Sequence, residues 1–175
     1  MRVLVISLLF NWPSTGGGTI HTQELCTFLT RAGYRVRHAY AECEPFGVGR
    51  VTEPLAYDAL PLVFDESSWN PESIRARFHD AAAEFDPDWV IVTDSWNTKP
   101  LLCEAVREWP YFIRIAALES LCPLNNVRLL VGDAGTPIQC DQNQLADPDA
   151  CRRCVAANGR CSGGLHRAER KLGGF

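Results

Sequence analysis

Apolar residues in the first part of the chain come as short continuous runs that alternate with stretches of helical spacing. Residues 3–10 form one run that is apolar except for Ser7, and residues 34–41 form a second in which Arg35, Arg37 and His38 interrupt the apolar residues. Between them, residues 18–32 carry Ile20, Phe28 and other apolar side chains on a stripe with the period of an α-helix. This order predicts a buried strand, an amphipathic helix and a second buried strand.

The alternation continues to residue 115. Asn70 is a favourable helix N-cap, and Pro71 suits the first helical position. Residues 89–92 form a continuous apolar run, which is typical of a parallel strand covered on both faces. Strands that alternate with helices form a parallel sheet, so the sequence predicts an α/β, Rossmann-like, doubly wound fold. The later predicted elements are a strand within 57–64, a helix from Pro71 that ends before Asp86, a strand over 89–92, a helix over 98–109 and a strand over 111–115.

Glycines and polar residues follow two of the predicted strands, at the edge where parallel sheets bind their ligands. Contiguous glycines let the backbone approach a ligand closely, and a helix N-terminus offers free N–H groups to an anion. The glycines could instead make a tight turn, and Asn97 could cap the next helix. The loop lacks both G-x-G-x-x-G and Gly-Lys-Ser/Thr, which excludes a dinucleotide fingerprint and a P-loop. The predicted substrate-binding residues are Gly16, Gly17, Gly18, His21, Glu24, Asp94, Ser95 and Asn97.

The charge composition gives no support to a nucleic-acid partner, since 17 basic residues are outnumbered by 21 acidic ones. No apolar run is long enough to cross a membrane. The first apolar run is too short, and its start too weakly basic, for an export signal. We therefore expect a cytoplasmic protein without a membrane span.

The hydrophobic pattern changes after Ser120. Residues 121–162 show no sustained periodicity and are rich in proline, glycine, asparagine, aspartate and cysteine. The sequence therefore predicts three parts. An α/β domain covers 1–120, an irregular Cys-rich insertion covers 121–162, and a tail over 163–175 leads toward a second domain that the chain lacks.

Five of the eight cysteines lie in this insertion, and two of them form a Cys-x-x-Cys pair, Cys151 and Cys154. Two residues between thiolates let both reach one metal, and two further cysteines complete a tetrahedral site. We expect a structural zinc ion held by Cys122, Cys140, Cys151 and Cys154, with Cys161 as a spare or substitute ligand. An iron–sulfur cluster is the second option, and disulfides or a redox-active pair remain open.

Two segments of the chain resemble one family. The first is the opening strand, loop and helix, and the second runs from Cys122-Pro123 through Arg128-Leu129-Leu130 and Cys140 to the Cys-x-x-Cys pair. In this order they resemble the N-terminal domain of family 4 glycosyltransferases of the GT-B fold, in the subset with a Cys-rich insertion. The matching positions of the first segment are Pro13, Gly16, Gly17, Gly18, His21, Glu24, Leu25, Gly33, Tyr34 and Val36.

The resemblance implies half of a GT-B fold that supplies the acceptor side of a cleft between two domains. The complete enzyme would transfer a hexose from a nucleotide-sugar donor to an acceptor that the sequence does not identify. The family's second domain, which binds the nucleotide sugar, is missing, and Ala116 and Ala117 stand where the family has His-Asp. No catalytic residue can be assigned, so we expect the isolated chain to be inactive. A non-catalytic sugar- or partner-binding module, or a metal-thiolate redox or sensor protein, are the alternatives.

Overall fold

The computed structural model describes residues 1–94, 98–115, 122, 129–131, 135–158, 168 and 171–172. The chain divides into two units, Met1–Arg114 and Ile115–Phe175. The predicted ligands Ser95 and Asn97, the spare thiol Cys161 and the pair Ala116-Ala117 lie outside the described residues.

A parallel five-stranded sheet forms the first unit, in the order β3-β2-β1-β4-β5. The order of the strands along the chain reverses between β1 and β4. These two strands pair in parallel, so both end at the same edge of the sheet. This confirms the α/β, Rossmann-like architecture, and the reversal creates the crevice in which such sheets bind ligands. The strands are β1 (Arg2–Ser7), β2 (Arg35–Glu42), β3 (Asp58–Val63), β4 (Trp89–Val92) and β5 (Tyr111–Ile113).

Three α-helices belong to this unit: α1 (Gly17–Arg31), α2 (Pro71–Phe85) and α3 (Lys99–Ala105). The α2 start is as predicted, because the Asn70 side chain accepts a hydrogen bond from the Ser73 N–H at 3.0 Å. Helix α1 ends with Gly33 at φ 87°, in the left-handed conformation that a helix end favours. A short 3₁₀-helix, Glu44–Phe46, follows β2.

Three predicted boundaries are wrong at the C-terminal end. Strand β1 stops at Ser7 rather than at residue 10, because the next two N–H groups bind a side chain instead of a neighbouring strand. Helix α3 stops at Ala105 instead of 109, because the backbone of Val106, with φ −113° and ψ 17°, leaves the helical conformation. Strand β5 is three residues long, since its partner β4 ends at Val92 opposite Ile113.

Burial also departs from the predicted pattern in two places. Phe28, on the predicted apolar stripe of α1, is exposed, and Cys26 is fully buried against Val3 and Val5 instead. Strand β4 is covered on both faces only beyond its first residue: Val90 and Val92 are buried and Ile91 packs against the core, whereas Trp89 is 37% exposed and stacks on Phe112 of the edge strand. The predicted inward face of α2 is buried throughout; it consists of Ile74, Phe78, Ala82 and Phe85.

The second unit is more regular than predicted. It contains an antiparallel pair, β6 (Leu129–Val131) and β7 (Pro137–Gln139), and a helix, α4 (Pro148–Asn158). The expectation of an irregular insertion is therefore wrong in this respect: Pro148 and Asp149 suit the first turn of a helix, and α4 carries both members of the Cys-x-x-Cys pair. Among the residues that the structure describes, no helix is long and apolar enough to cross a membrane.

Two glycines of the β2–β3 connection provide a test of this fold. Both have positive φ, 65° at Gly47 and 80° at Gly49, but only Gly49 is crowded: an added Cβ would lie 2.3 Å from the Ala41 carbonyl oxygen. Gly47→Ala should lower the free energy of unfolding by about 1 kcal/mol, the left-handed penalty alone. Gly49→Ala should lower the free energy of unfolding by about 2 kcal/mol or more in addition to that penalty, because the added Cβ forces backbone atoms to move. Urea unfolding measures both, and equal losses would contradict this connection as described.

Candidate functional site

The β1–α1 loop, residues 8–16, lies at the crevice where the strand order reverses. Its first residues are fixed by Asp94, which follows β4. The Asp94 carboxylate accepts hydrogen bonds from the Leu8 N–H at 2.7 Å and from the Leu9 N–H at 3.1 Å. It also accepts from the Thr98 hydroxyl, at the start of α3, at 2.9 Å. One side chain thus joins the ends of β1 and β4 to the beginning of α3.

The middle of the loop is held by the β2–β3 connection. The Asn11 amide donates to the Gly47 carbonyl at 3.0 Å, and its oxygen accepts from the Arg50 N–H at 2.9 Å. Trp12 pairs through its backbone: its N–H donates to the Arg50 carbonyl, and its carbonyl accepts from the Thr52 N–H, both at 2.9 Å. The loop is therefore fixed on both sides before it reaches the glycines.

The three predicted glycines occupy the start of α1 and do not make a tight turn. Gly16 is the N-cap, with φ −78° and ψ 122°, and Gly17 and Gly18 are the first two helical residues. None of them has a positive φ. An added Cβ would meet nothing within 4 Å at Gly17 and would make ordinary contacts at 3.4 Å and 3.5 Å at Gly16 and Gly18. The protein's own packing therefore does not require glycine at these positions.

Arg114 brings a positive charge to the first turn of α1. It follows β5, and its guanidinium donates to the Gly18 carbonyl at 3.1 Å and to His21 Nδ1 at 3.0 Å. Because a guanidinium only donates, His21 Nδ1 accepts, and the proton of the neutral ring lies on Nε2. Glu24 is exposed on α1, beyond the first turn, and no acidic residue lies in that turn.

Arg114 is a site residue that the sequence did not reveal. A basic residue at the carboxyl end of a parallel strand is a signal that could have found it. The contact itself depends on the pairing of β5 beside β4, which the order of elements alone does not specify. Because of this contact, the positive end of the α1 dipole and the Arg114 guanidinium lie together, and this arrangement favours the binding of an anion.

A buried polar chain lies beneath this edge of the sheet. The Thr93 hydroxyl donates to the Ile6 carbonyl at 2.9 Å and lies 2.6 Å from Ser7 Oγ, which in turn lies 2.9 Å from His38 Nε2. With the Thr93 proton committed to Ile6, Ser7 donates to Thr93, and His38 Nε2–H donates to Ser7. The buried Nδ1 of His38 has no partner among the described residues, which favours a neutral ring with its one N–H proton on Nε2.

Three cysteines of the second unit, Cys122, Cys140 and Cys154, lie close enough to Cys151 to influence its thiol. Cys122 and Cys151 are buried, and Cys140 and Cys154 are half-buried. Burial raises the pKa of the Cys151 thiol, and the other three thiols raise it further, an influence that requires proximity. None of the seven described cysteines is in a disulfide. As these side chains stand, no group of three or more described His, Cys, Asp or Glu residues is arranged to hold a metal ion.

Comparison with protein families and with curated proteins gave no match. Among solved structures, the crystal structure of a protein from the universal stress protein family of Burkholderia pseudomallei is similar, with 12% sequence identity and a TM-score of 0.39. The similarity covers 65% of this chain and 96% of that chain. At this TM-score the likeness carries no argument about function, which has to come from the geometry of the site.

The buried histidine gives the protein a specific pH dependence. Desolvation lowers the pKa of His38 from its ordinary value of 6.5 to about 3. Between these values the unfolded chain binds a proton that the folded chain does not, so the contribution of His38 is complete above pH 6.5 and is lost as the pH falls. The free energy of unfolding should decrease by up to about 1.4 kcal/mol per pH unit in this range from this residue.

Denaturant titrations between pH 7 and pH 4 measure this slope. His38→Gln should flatten it, whatever that substitution costs at neutral pH. His79→Gln is the matched control, because the His79 side chain is 42% exposed, and the slope should remain. Parallel curves for wild type and His38→Gln would contradict a buried neutral imidazole.

Proposed function

We propose that this chain is the acceptor-side domain of a nucleotide-sugar-dependent glycosyltransferase of the GT-B type. In this proposal, residues 16–21 and Arg114 bind a sugar phosphate at the crevice between β1 and β4. A second α/β domain supplies the pocket for the nucleotide. The family resemblance of the sequence gives the reaction class, and the geometry of the β1–α1 loop supports a ligand at the position that the family uses.

The glycines carry this proposal. Glycine in the first turn of a helix is less stable than alanine by about 0.5–1 kcal/mol, and the chain places two of them at the start of α1. Gly17 has room for a side chain, so neither backbone conformation nor packing explains it. Gly17, with open space around its α-carbon, gives a ligand room to approach the backbone N–H groups at the start of α1, whereas the Gly16 N–H already donates to Ser14 Oγ at 3.0 Å.

Charge selects the class of ligand. The N-terminus of α1 has no side-chain cap and no acidic residue in its first turn, and the Arg114 guanidinium lies against it. An anion placed between these two positive groups would be stabilised by both, and a phosphate has enough oxygens to accept from each. The exposed His21 ring, with Nδ1 bound to Arg114, keeps its Nε2–H for a sugar hydroxyl.

A pair of variants at the glycines and Arg114 tests this proposal. Gly17→Ala should raise the free energy of unfolding by about 0.5–1 kcal/mol and at the same time weaken phosphate binding, because its methyl group occupies the ligand's space. Arg114→Gln should also weaken binding, by loss of the charge. Amide chemical shifts during titration with inorganic phosphate, a hexose phosphate and a nucleotide sugar give both the site and the affinity.

We expect dissociation constants on the order of millimolar, since half a site makes few contacts to offset the entropy of association. Shifts should be confined to residues 14–24, 93–97 and 114, and the isolated chain should not turn over a nucleotide sugar. Gly33→Ala, at the far end of α1, is a control that should leave affinity unchanged. Binding of sugar without phosphate would favour a non-catalytic sugar-binding module, and shifts that avoid the glycines would refute the site.

For the second unit we propose a structural zinc ion bound by Cys122, Cys140, Cys151 and Cys154. The donor set fits zinc by its chemistry, since four cysteines can supply four thiolates and two of them lie one helical turn apart on α4. The described side chains do not form a coordinating group, so the proposal rests on the residue types and their spacing. The ion would stabilise this unit, and an iron–sulfur cluster is the other group that four thiolates suit.

Metal content tests this second proposal. Protein purified without added metal should contain one equivalent of zinc, and either Cys151→Ser or Cys154→Ser should abolish it and expose residues 120–161 to proteolysis while the sheet stays folded. Cys103→Ser, on α3 of the first unit, is the matched control and should retain the metal. Bound iron together with visible absorption would instead indicate an iron–sulfur cluster at this site. A folded, metal-free protein with reactive thiols would contradict any metal.

A further inference from the structure

Asp94 has a backbone conformation that stability alone does not favour. Its φ is 96°, a region in which L-residues are strained and glycine is not. Strain of this kind persists only where surrounding contacts determine the conformation, and it collects at functional sites. The residue directly follows the buried Thr93, at the carboxyl end of β4.

The contacts of Asp94 point toward the backbone of the β1–α1 loop. Its two carboxylate oxygens accept from the N–H groups of Leu8 and Leu9, and Oδ2 also accepts from the Thr98 hydroxyl. These bonds fix the direction in which the chain leaves β1 toward the glycines. A carboxylate would repel a phosphate, so direct contact with the ligand is a poor use for this side chain.

We propose that Asp94 is a positioning residue: its strained backbone and its carboxylate hold the β1–α1 loop so that the N–H groups at the start of α1 face the ligand. This replaces the sequence-based prediction that Asp94 binds substrate. It rests on the proposed function only for the identity of the ligand. The positioning itself is a property of the free protein.

The chain supplies a matched control. Asp88 also binds a backbone N–H of β1, that of Arg2 at 2.6 Å, but at the opposite end of the strand. Loss of either carboxylate removes support from β1, and only loss of Asp94 should disturb the loop. Asp94→Gly removes the carboxylate and the strain together, whereas Asp94→Asn keeps an acceptor oxygen and a residue type that tolerates left-handed backbone.

Amide hydrogen exchange of the free protein and phosphate affinity, measured on the same variants, test the proposal. Asp94→Gly should accelerate exchange at residues 8–18 on the order of tenfold and weaken phosphate binding by a similar factor, with an unfolding midpoint no lower than that of Asp88→Gly. Asp94→Asn should restore part of both, and Asp88→Gly should change neither.

The two readouts separate this inference from the proposed function. Unchanged exchange at residues 8–18 in Asp94→Gly would overturn the positioning role, whatever the ligand. Accelerated exchange with unchanged phosphate affinity would overturn it as well, since the held conformation would then not serve binding. If wild type binds no phosphate, the proposed function fails, and the exchange of residues 8–18 alone decides whether Asp94 holds the loop.

Discussion

The parallel pairing of β1 with β4 brings two strand ends side by side, and the rest of the candidate site depends on what happens there. Because the strand order reverses between them, no helix connection covers the crevice. Asp94 ends β1, because its carboxylate accepts hydrogen bonds from the Leu8 and Leu9 N–H groups, which therefore do not pair with a neighbouring strand. The loop that leads to the glycines starts there.

Beneath this edge, the sheet contains a chain of polar groups where apolar ones would be expected. Ser7, His38 and Thr93 satisfy one another and the Ile6 carbonyl, so burial costs them little apart from the unpartnered Nδ1. The neutral His38 makes this arrangement sensitive to acid. The strand ends are therefore fixed from below by buried hydrogen bonds and from above by Asp94.

The periodicities of the first unit were sufficient to predict its α/β class and the order of its helices and strands along the chain. Helix α2 illustrates this, since its cap, its buried face and its end were all predictable from local signals. Phe28 was wrongly expected to be buried because it lies on the apolar stripe of α1. Such a stripe identifies the face of a helix that packs on the sheet, but it does not indicate how far the sheet extends beneath that face. Arg114 was missed because its contact with Gly18 joins residues 96 positions apart. Local patterns carry no information on such pairings.

For the candidate site, the sequence predicted which residues take part, and the structure shows the contacts that the described ones make. The glycines were predicted as ligand-binding, and their ordinary backbone and open surroundings remove the tight turn as an explanation. Asp94 was chosen for its polarity at a strand end, but polarity does not distinguish a group that contacts a ligand from one that holds a loop. The cysteine ligand set remains a prediction, because mutual proximity is necessary for a metal site and not sufficient for one.

We propose that the start of α1 and Arg114 form one anion site, and a crystal structure of this chain grown with a hexose phosphate is the decisive test. We expect phosphate oxygens within about 3 Å of the Gly17 and Gly18 amide nitrogens and of the Arg114 guanidinium, with the sugar over the glycines. A phosphate bound elsewhere, or an empty α1 terminus at saturating ligand, would contradict it.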